Sequence, residues 1–193
     1  MIPAIVLAAG ASSRMGRAKA LLPIGDRTFV RTILESLREG GVTEAVVVIR
    51  QGDTAIEAEV AAAGFGRAVV NPRAADGQLT SLVAGLDAVD GPDVSAALVT
   101  LVDVPLVTAR TIRGLCTRAA ASAAAVIRAV HHGRHGHPVI VKRELFAALR
   151  AADPAVGAKP ILRAAAIEDV EVDDPGVIED VDTPADYARV IAP

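Results

Sequence analysis

Two glycines, Gly10 and Gly16, enclose Ala11-Ser12-Ser13-Arg14-Met15, and Arg17 and Lys19 follow directly. The apolar run Ile5-Val-Leu-Ala-Ala9 leads into them. An apolar strand feeding a loop of small hydroxyl residues, bare amides and cations suits a polyphosphate. Two familiar phosphate loops do not fit. No Gly-Lys-Ser/Thr stands at the Walker position after Gly10, and no central glycine completes a dinucleotide fingerprint. Further along, the apolar run Ala96-Ala-Leu-Val-Thr-Leu-Val102 delivers Asp103, followed by Val104-Pro105. A carboxylate at a strand end facing a phosphate loop can hold Mg²⁺ on a triphosphate; a turn-capping aspartate is the plainer alternative.

Three more clusters carry polar chemistry. Asn71-Pro72 and Gly77-Gln-Leu-Thr-Ser81 precede an apolar-periodic stretch. They read either as a helix start open to an anion or a base edge, or as simple capping by Thr80 or Ser81. His131, His132, His135 and His137 crowd together before Pro138. A transition metal would need a cysteine or acid to complete the set, and none is near, so a proline-pinned turn is the competing reading. Near the end, Thr183-Pro184-Ala-Asp186 has the form of a helix start, with a capping hydroxyl, an early proline and an acid. That accounts for Thr183, Pro184 and Asp186, and leaves Asp180 and Asp182 for other work.

The elements that position these groups alternate. Apolar runs at 2–8, 45–49, 68–70, 96–102, 124–130, 139–141 and 167–172 predict strands. Helical spacing predicts helices at 29–39, 53–63, 79–89, 108–121, 144–151 and 159–164, with a last one opening at Thr183-Pro184. Gly40-Gly41 ends the first helix. Such alternation implies an α/β domain with a mostly parallel sheet, and the absence of a linker or repeat makes 1–193 a single domain. In open sheets of this kind ligands lie beyond the carboxyl ends of the strands, where Asp103 falls.

Composition limits the function classes. The chain has 193 residues, 52% of them hydrophobic, 22% charged and only 2% aromatic. That is ample for a packed core and too apolar for disorder. A formal charge of −3 gives no general attraction to nucleic acid or to an anionic membrane, so phosphate binding must be local. The single cysteine, Cys116, rules out a disulfide framework and makes a reducing, cytoplasmic setting the expectation. The opening apolar stretch lacks the cationic lead-in of a secretory leader, and no run is long enough to cross a bilayer.

The stretch Leu7-Ala-Ala-Gly-Ala-Ser-Ser-Arg-Met-Gly-Arg-Ala-Lys-Ala-Leu-Leu-Pro23 resembles the MobA-like NTP transferase family, nearest its molybdenum cofactor (molybdopterin) cytidylyltransferases. The resemblance runs in order from Ile5 to Tyr187. It implies a Rossmann-like three-layer α/β/α nucleotidyltransferase fold. It also implies a Mg²⁺-dependent reaction that transfers a nucleoside monophosphate, CMP from CTP, to a phosphorylated acceptor such as molybdopterin and releases pyrophosphate. By resemblance, Leu7, Ala8, Ala9, Gly10, Ser12, Ser13, Arg14, Gly16 and Lys19 wrap the triphosphate, with Lys19 and Arg14 over the departing pyrophosphate. Asn71, Gly77 and Ser81 hold the nucleoside. Asp103 and Asp182 hold the metal, Asp182 matching the second acid of the family's Asp-Ile-Asp-Thr-Pro motif. His137, in Gly136-His137-Pro138, and Lys159, in Gly157-Ala158-Lys159, border the acceptor. The implied partners are CTP, a phosphorylated small molecule and a molybdoenzyme to receive the product. One departure stands out: Val102 takes the place of glycine in the family's Gly-Asp-x-Pro motif, with Val104 at the usually polar position. Sugar-phosphate nucleotidyl transfer, an A-type glycosyltransferase or a non-catalytic maturation factor remain open beside it. The glycosyltransferase would normally show a second acid after Asp103, which Val104-Pro105 lacks.

Overall fold

The structure, a computed structural model, describes residues 1–10 and 16–191. Three of the candidates, Ser12, Ser13 and Arg14, lie outside the described residues. The strands in chain order are β1 (Ala4–Leu7), β2 (Pro23–Ile24), β3 (Arg27–Thr28), β4 (Ala45–Arg50), β5 (Arg67–Asn71), β6 (Ala96–Leu101), β7 (Val126–His131), β8 (Arg134–Lys142) and β9 (Ile167–Glu171). The helices are α1 (Phe29–Glu39), α2 (Thr54–Ala62), α3 (Gln78–Val89), α4 (Ala109–Ala121), α5 (Phe146–Ala151), α6 (Lys159–Ala164) and α7 (Pro184–Ile191).

Seven strands form one sheet in the order β5-β4-β1-β6-β8-β7-β9. The pairs β1–β4, β1–β6, β4–β5 and β7–β9 are parallel, and β8 alone runs against its neighbours. The two faces follow from alternation along the strands. Ile5, Leu7, Val46, Val48, Ala97 and Val99 pack with Leu79, Leu82 and Leu86 of α3 and with Phe146 of α5. Ala4, Val6, Val47, Ile49 and Leu98 pack with α1, α2 and α4 on the other side. The result is three α/β/α layers.

Helix α1 shows how the sequence writes one of these layers. The Thr28 hydroxyl accepts from Arg31 N at 3.4 Å and caps it. Its buried stripe is Phe29, Val30, Ile33, Leu34 and Leu37, and each such side chain contributes about 1.5–3 kcal/mol by leaving water. Gly41, at φ +90°, supplies the left-handed residue beyond its end.

Strand β8 departs from the sequence reading, which expected only 139–141. The strand starts at Arg134, and His132 (φ +48°) and Gly133 (φ +73°) make the tight turn from β7. Gly136 and Pro138 hide it, because glycine weakens a strand and proline cannot donate to the ladder. A register shift between Arg128 and Val130 accommodates them. Glycine at 136 is required by packing, since a Cβ there would run into the Val177 carbonyl of the 3-10 turn Pro175–Ile178.

That turn is tied down by Asp174, which is buried. Its Oδ2 accepts from Thr108 N at 3.0 Å, Thr108 Oγ1 at 2.8 Å and Thr111 Oγ1 at 2.6 Å, and its Oδ1 accepts from Gly176 N at 3.1 Å. The carboxylate thus joins the start of α4 to the segment that leads to Asp182. Asp174→Ala should lower unfolding free energy by about 3 kcal/mol, because several buried donors lose a charged acceptor at once. A urea melt unchanged from wild type would remove this anchor.

Candidate functional site

The chain runs from β1 to β4 and β5 on one side, then returns to place β6 on the other side of β1. Carboxyl-end loops diverge at such a switch and leave a crevice. Here the cleft has a volume of about 390 Å³ and is lined by Leu7, Ala9, Gly10, Lys19, Ala74, Gln78, Ser81, Leu101, Val102, Asp103 and Asp182.

Each charged group is delivered by a separate local device. Lys19 opens the 3-10 turn Lys19–Leu21, which is anchored by buried Ala20 and Leu22. Asp103 follows β6 by two residues, and the Val102 amide donates to Leu7 O at 3.1 Å, which keeps the strand end beside β1. Asp182 arrives from the far end of the chain. Val181 is buried with Leu22 and Phe29, and its amide donates to Asp103 O at 2.8 Å. That one backbone bond places Asp182 beside Asp103. Beyond it, Asp186 accepts from Thr183 N at 2.9 Å and from Thr183 Oγ1 at 2.8 Å, while Asp186 N donates to Thr183 Oγ1 at 3.2 Å. This is the reciprocal helix start expected from the sequence, and the Thr183 hydroxyl holds the Asp186 carboxyl below its ordinary pKa.

The Lys19 ammonium donates to Asp182 Oδ1 at 2.5 Å and to Asp103 Oδ2 at 3.2 Å. The lysine side chain is 11% exposed, against 23% for Asp103 and 47% for Asp182. Burial alone would lower the lysine pKa, but the Asp182 hydrogen bond and the Asp103 charge outweigh it and the value rises. The group stays charged at neutral pH. Asp103 Oδ1 is buried and has no hydrogen-bond partner among the described residues. Hard carboxylate oxygens with one unused lone-pair set fit a small divalent cation such as Mg²⁺ or Mn²⁺. Among the described residues no group of three His, Cys, Asp or Glu could hold an ion, so phosphate and water would have to fill the rest of its shell.

The opposite wall starts at β5. Asn71, buried at the strand end, donates from Nδ2 to Thr80 Oγ1 at 2.9 Å and Ser81 Oγ at 3.0 Å, and accepts from Arg73 N at 2.9 Å. Gly77 precedes α3 at φ +113°, a conformation closed to other residues. No side chain caps the helix. Thr80 and Ser81 are held by Asn71 instead, which leaves Gln78 and Ser81 on the cleft wall. Asn71→Ala should lower unfolding free energy by about 1–3 kcal/mol through two buried hydroxyls losing their donor. Guanidinium denaturation that superimposes on wild type would exclude this role.

Of the sequence candidates, Leu7, Ala9, Gly10, Lys19, Ser81, Asp103 and Asp182 share the cleft. Ala8 and Gly16, with Gly10, Arg17, Lys19 and Arg50, line an adjoining hollow. Asn71 and Gly77 stand behind the α3 wall. His137 and Lys159 do not line the cleft. Burial pushes the His137 imidazole below its ordinary pKa despite the nearby Val99 carbonyl, Asp180 and Asp103, and its Nδ1 has no partner among the described residues. Asp180 is pushed up by burial and by the Asp103 charge, with His137 opposing. Of the other histidines, His131 and His132 keep their rings 4.2 Å apart, His131 Nδ1 meets Val172 O at 2.8 Å, and His135 turns to Asp169 at 3.4 Å. Gln78, Ala74, Leu101 and Val102 are cleft residues that the sequence reading did not assign. Only Val102 carried a signal, as the valine where the resemblance expects glycine.

Residues 4–170 match the family described as MobA-like NTP transferase domain. Nicotine blue oxidoreductase of Paenarthrobacter nicotinovorans is 30% identical over 98% of this chain and 96% of its own length. Molybdenum cofactor cytidylyltransferase of Escherichia coli is 26% identical over 96% of this chain and 93% of its own. The crystal structure of Rv0371c from Mycobacterium tuberculosis superposes with a TM-score of 0.84 at 27% identity, covering 99% of this chain and 98% of that one. That protein has also been solved in complex with manganese, with a TM-score of 0.76 at 25% identity over 98% of this chain and 97% of that one. Among the described residues no helix is long and apolar enough to cross a membrane.

Proposed function

The chain belongs to the MobA-like NTP transferase family, and we propose that its cleft transfers CMP from CTP to the phosphate of a molybdopterin-type acceptor. The observation that carries this reading is the convergence of Lys19, Asp103 and Asp182 at the β1/β6 switch point. In the reaction an acceptor phosphate oxygen forms a bond to the α-phosphorus. The bond from that phosphorus to the bridging oxygen breaks, and its electron pair leaves with pyrophosphate. The acceptor phosphate is already ionised at neutral pH, so no general base is needed. A divalent ion on Asp103 and Asp182, Mg²⁺ in this reading, supplies charge neutralisation and template geometry. The chain's own residues align the nucleotide and place positive charge where negative charge grows. Lys19 supplies that charge from the turn, and the family resemblance assigns Arg14 the same task. Ser81 and Gln78, on the wall set by Asn71 and Gly77, face the nucleoside, while His137 and Lys159 remain the acceptor-side candidates. Residues 1–193 act as one domain.

Incubation with Mg²⁺, molybdopterin and each nucleoside triphosphate should release pyrophosphate with CTP preferred. Release from no triphosphate would defeat the reading. Val102, part of an apolar floor with Leu7 and Leu101, favours a second one. The oxidoreductase among the relatives suggests that the same cleft handles redox chemistry on an organic acceptor. Oxidation or reduction of an organic acceptor without pyrophosphate release would select it.

A further inference from the structure

We propose that Lys19 occupies the cation position between Asp103 and Asp182 in the nucleotide-free protein, so that a divalent ion enters only with a triphosphate that draws the ammonium away. The inference rests on the nucleotidyl-transfer reading for the identity of that triphosphate. Its basis is geometric. The ammonium touches one oxygen of each carboxylate, at 2.5 Å and 3.2 Å. A magnesium or manganese ion on those same oxygens would lie within about 5 Å of Nζ, since its own oxygen bonds are only about 2.1 Å long. A charge of +2 and one of +1 that close repel strongly in a partly buried site. The carboxylate pair therefore binds one cation well and two poorly.

The side chain is built to move. Ala20 and Leu22 fix the backbone beside Lys19, while four methylenes let the ammonium swing without disturbing it. A triphosphate in the cleft offers Nζ a new anionic partner. Its departure takes the ammonium off Asp103 Oδ2 and Asp182 Oδ1, where the ion that the nucleotide carries can then bind. Binding of metal and nucleotide are thereby linked through a single lysine, and the linkage is reciprocal. It also protects the site from idle occupation by free divalent ions.

Manganese alone, titrated into the folded protein and followed by the paramagnetic resonance of the free ion, tests this. Lys19→Met should bind Mn²⁺ about tenfold or more tightly than wild type, and Lys19→Met with Asp103→Asn should lose the gain. Arg50→Met removes a cation from the adjoining hollow and controls for net charge; its Mn²⁺ affinity should stay within about twofold of wild type. Calorimetry with preformed Mn–CTP should show tight binding to wild type where Mn²⁺ alone binds weakly, and a smaller gap in Lys19→Met. If circular dichroism shows Lys19→Met unfolded, Lys19→Gln replaces it. Equal Mn²⁺ affinity in wild type and the lysine variant overturns the proposal. So does an equal gain in Arg50→Met, or a gain that survives Asp103→Asn. Absence of pyrophosphate release would defeat the transfer reading and leave the manganese comparison intact.

Discussion

Asp103→Asn should lower the rate of pyrophosphate release by about 10³-fold while leaving the urea midpoint close to wild type, since a metal-held charge is worth several kcal/mol in the transition state. The amide keeps the shape of the carboxylate. It removes the charge that faces Lys19 and the buried Oδ1 that has no partner among the described residues. The backbone carbonyl that receives the Val181 amide is untouched, so Asp182 stays in place. Asp182→Asn should cost less, about 10²-fold, because that carboxylate is 47% exposed and water can take over part of its role. Steady-state assay of both variants at saturating Mg²⁺ checks the order. Turnover in Asp103→Asn within a few-fold of wild type would remove the carboxylate from the chemistry.

Lys19→Met should lower kcat by about 10²- to 10³-fold, the loss typical of removing one preorganised charge from a developing anion. The methionine keeps the stem packed and deletes only the ammonium. Its effect on KM should be the smaller one, because negative charge on the leaving pyrophosphate grows mainly in the transition state. This loss of turnover accompanies the gain in Mn²⁺ affinity expected for the same variant. A lysine that merely held the fold would move both together, with a lower melting temperature. Unchanged kcat with raised KM would confine Lys19 to ground-state binding.

Much of the fold was legible because burial on a sheet leaves a coarse mark. The runs at Ala45–Arg50 and Ala96–Leu101 are apolar on both faces, as strands covered by helices must be. Helix α1 spans the 29–39 that its apolar spacing predicts and stops at the paired glycines. The two-residue strands Pro23–Ile24 and Arg27–Thr28 escaped because a pair that short has no periodicity to read. The reversed direction of β8 escaped because alternation records which face is buried and says nothing about strand order.

The site divides in the same way. Gly10, Lys19 and Asp103 were readable as a phosphate loop and a strand-end acid, the metal role of Asp182 came from a motif resemblance, and the structure brings Lys19 and Asp182 together across 163 residues. What no motif carried is the partner of Lys19. A lysine beside a phosphate loop suggests a phosphate contact, whereas in the described structure its ammonium lies against two carboxylates. Gln78 went unassigned for a related reason. A glutamine in the first turn of a helix has no distinctive spacing, and only Gly77 and the Asn71 anchor turn it toward the cleft.

The most direct test is an anomalous difference map from crystals grown with CTP and Mn²⁺. The proposal expects one manganese peak bonded to Asp103 and Asp182, with the triphosphate against it and Lys19 Nζ moved onto a phosphate oxygen. Manganese and triphosphate bound away from both carboxylates, with Lys19 still between them, would contradict it.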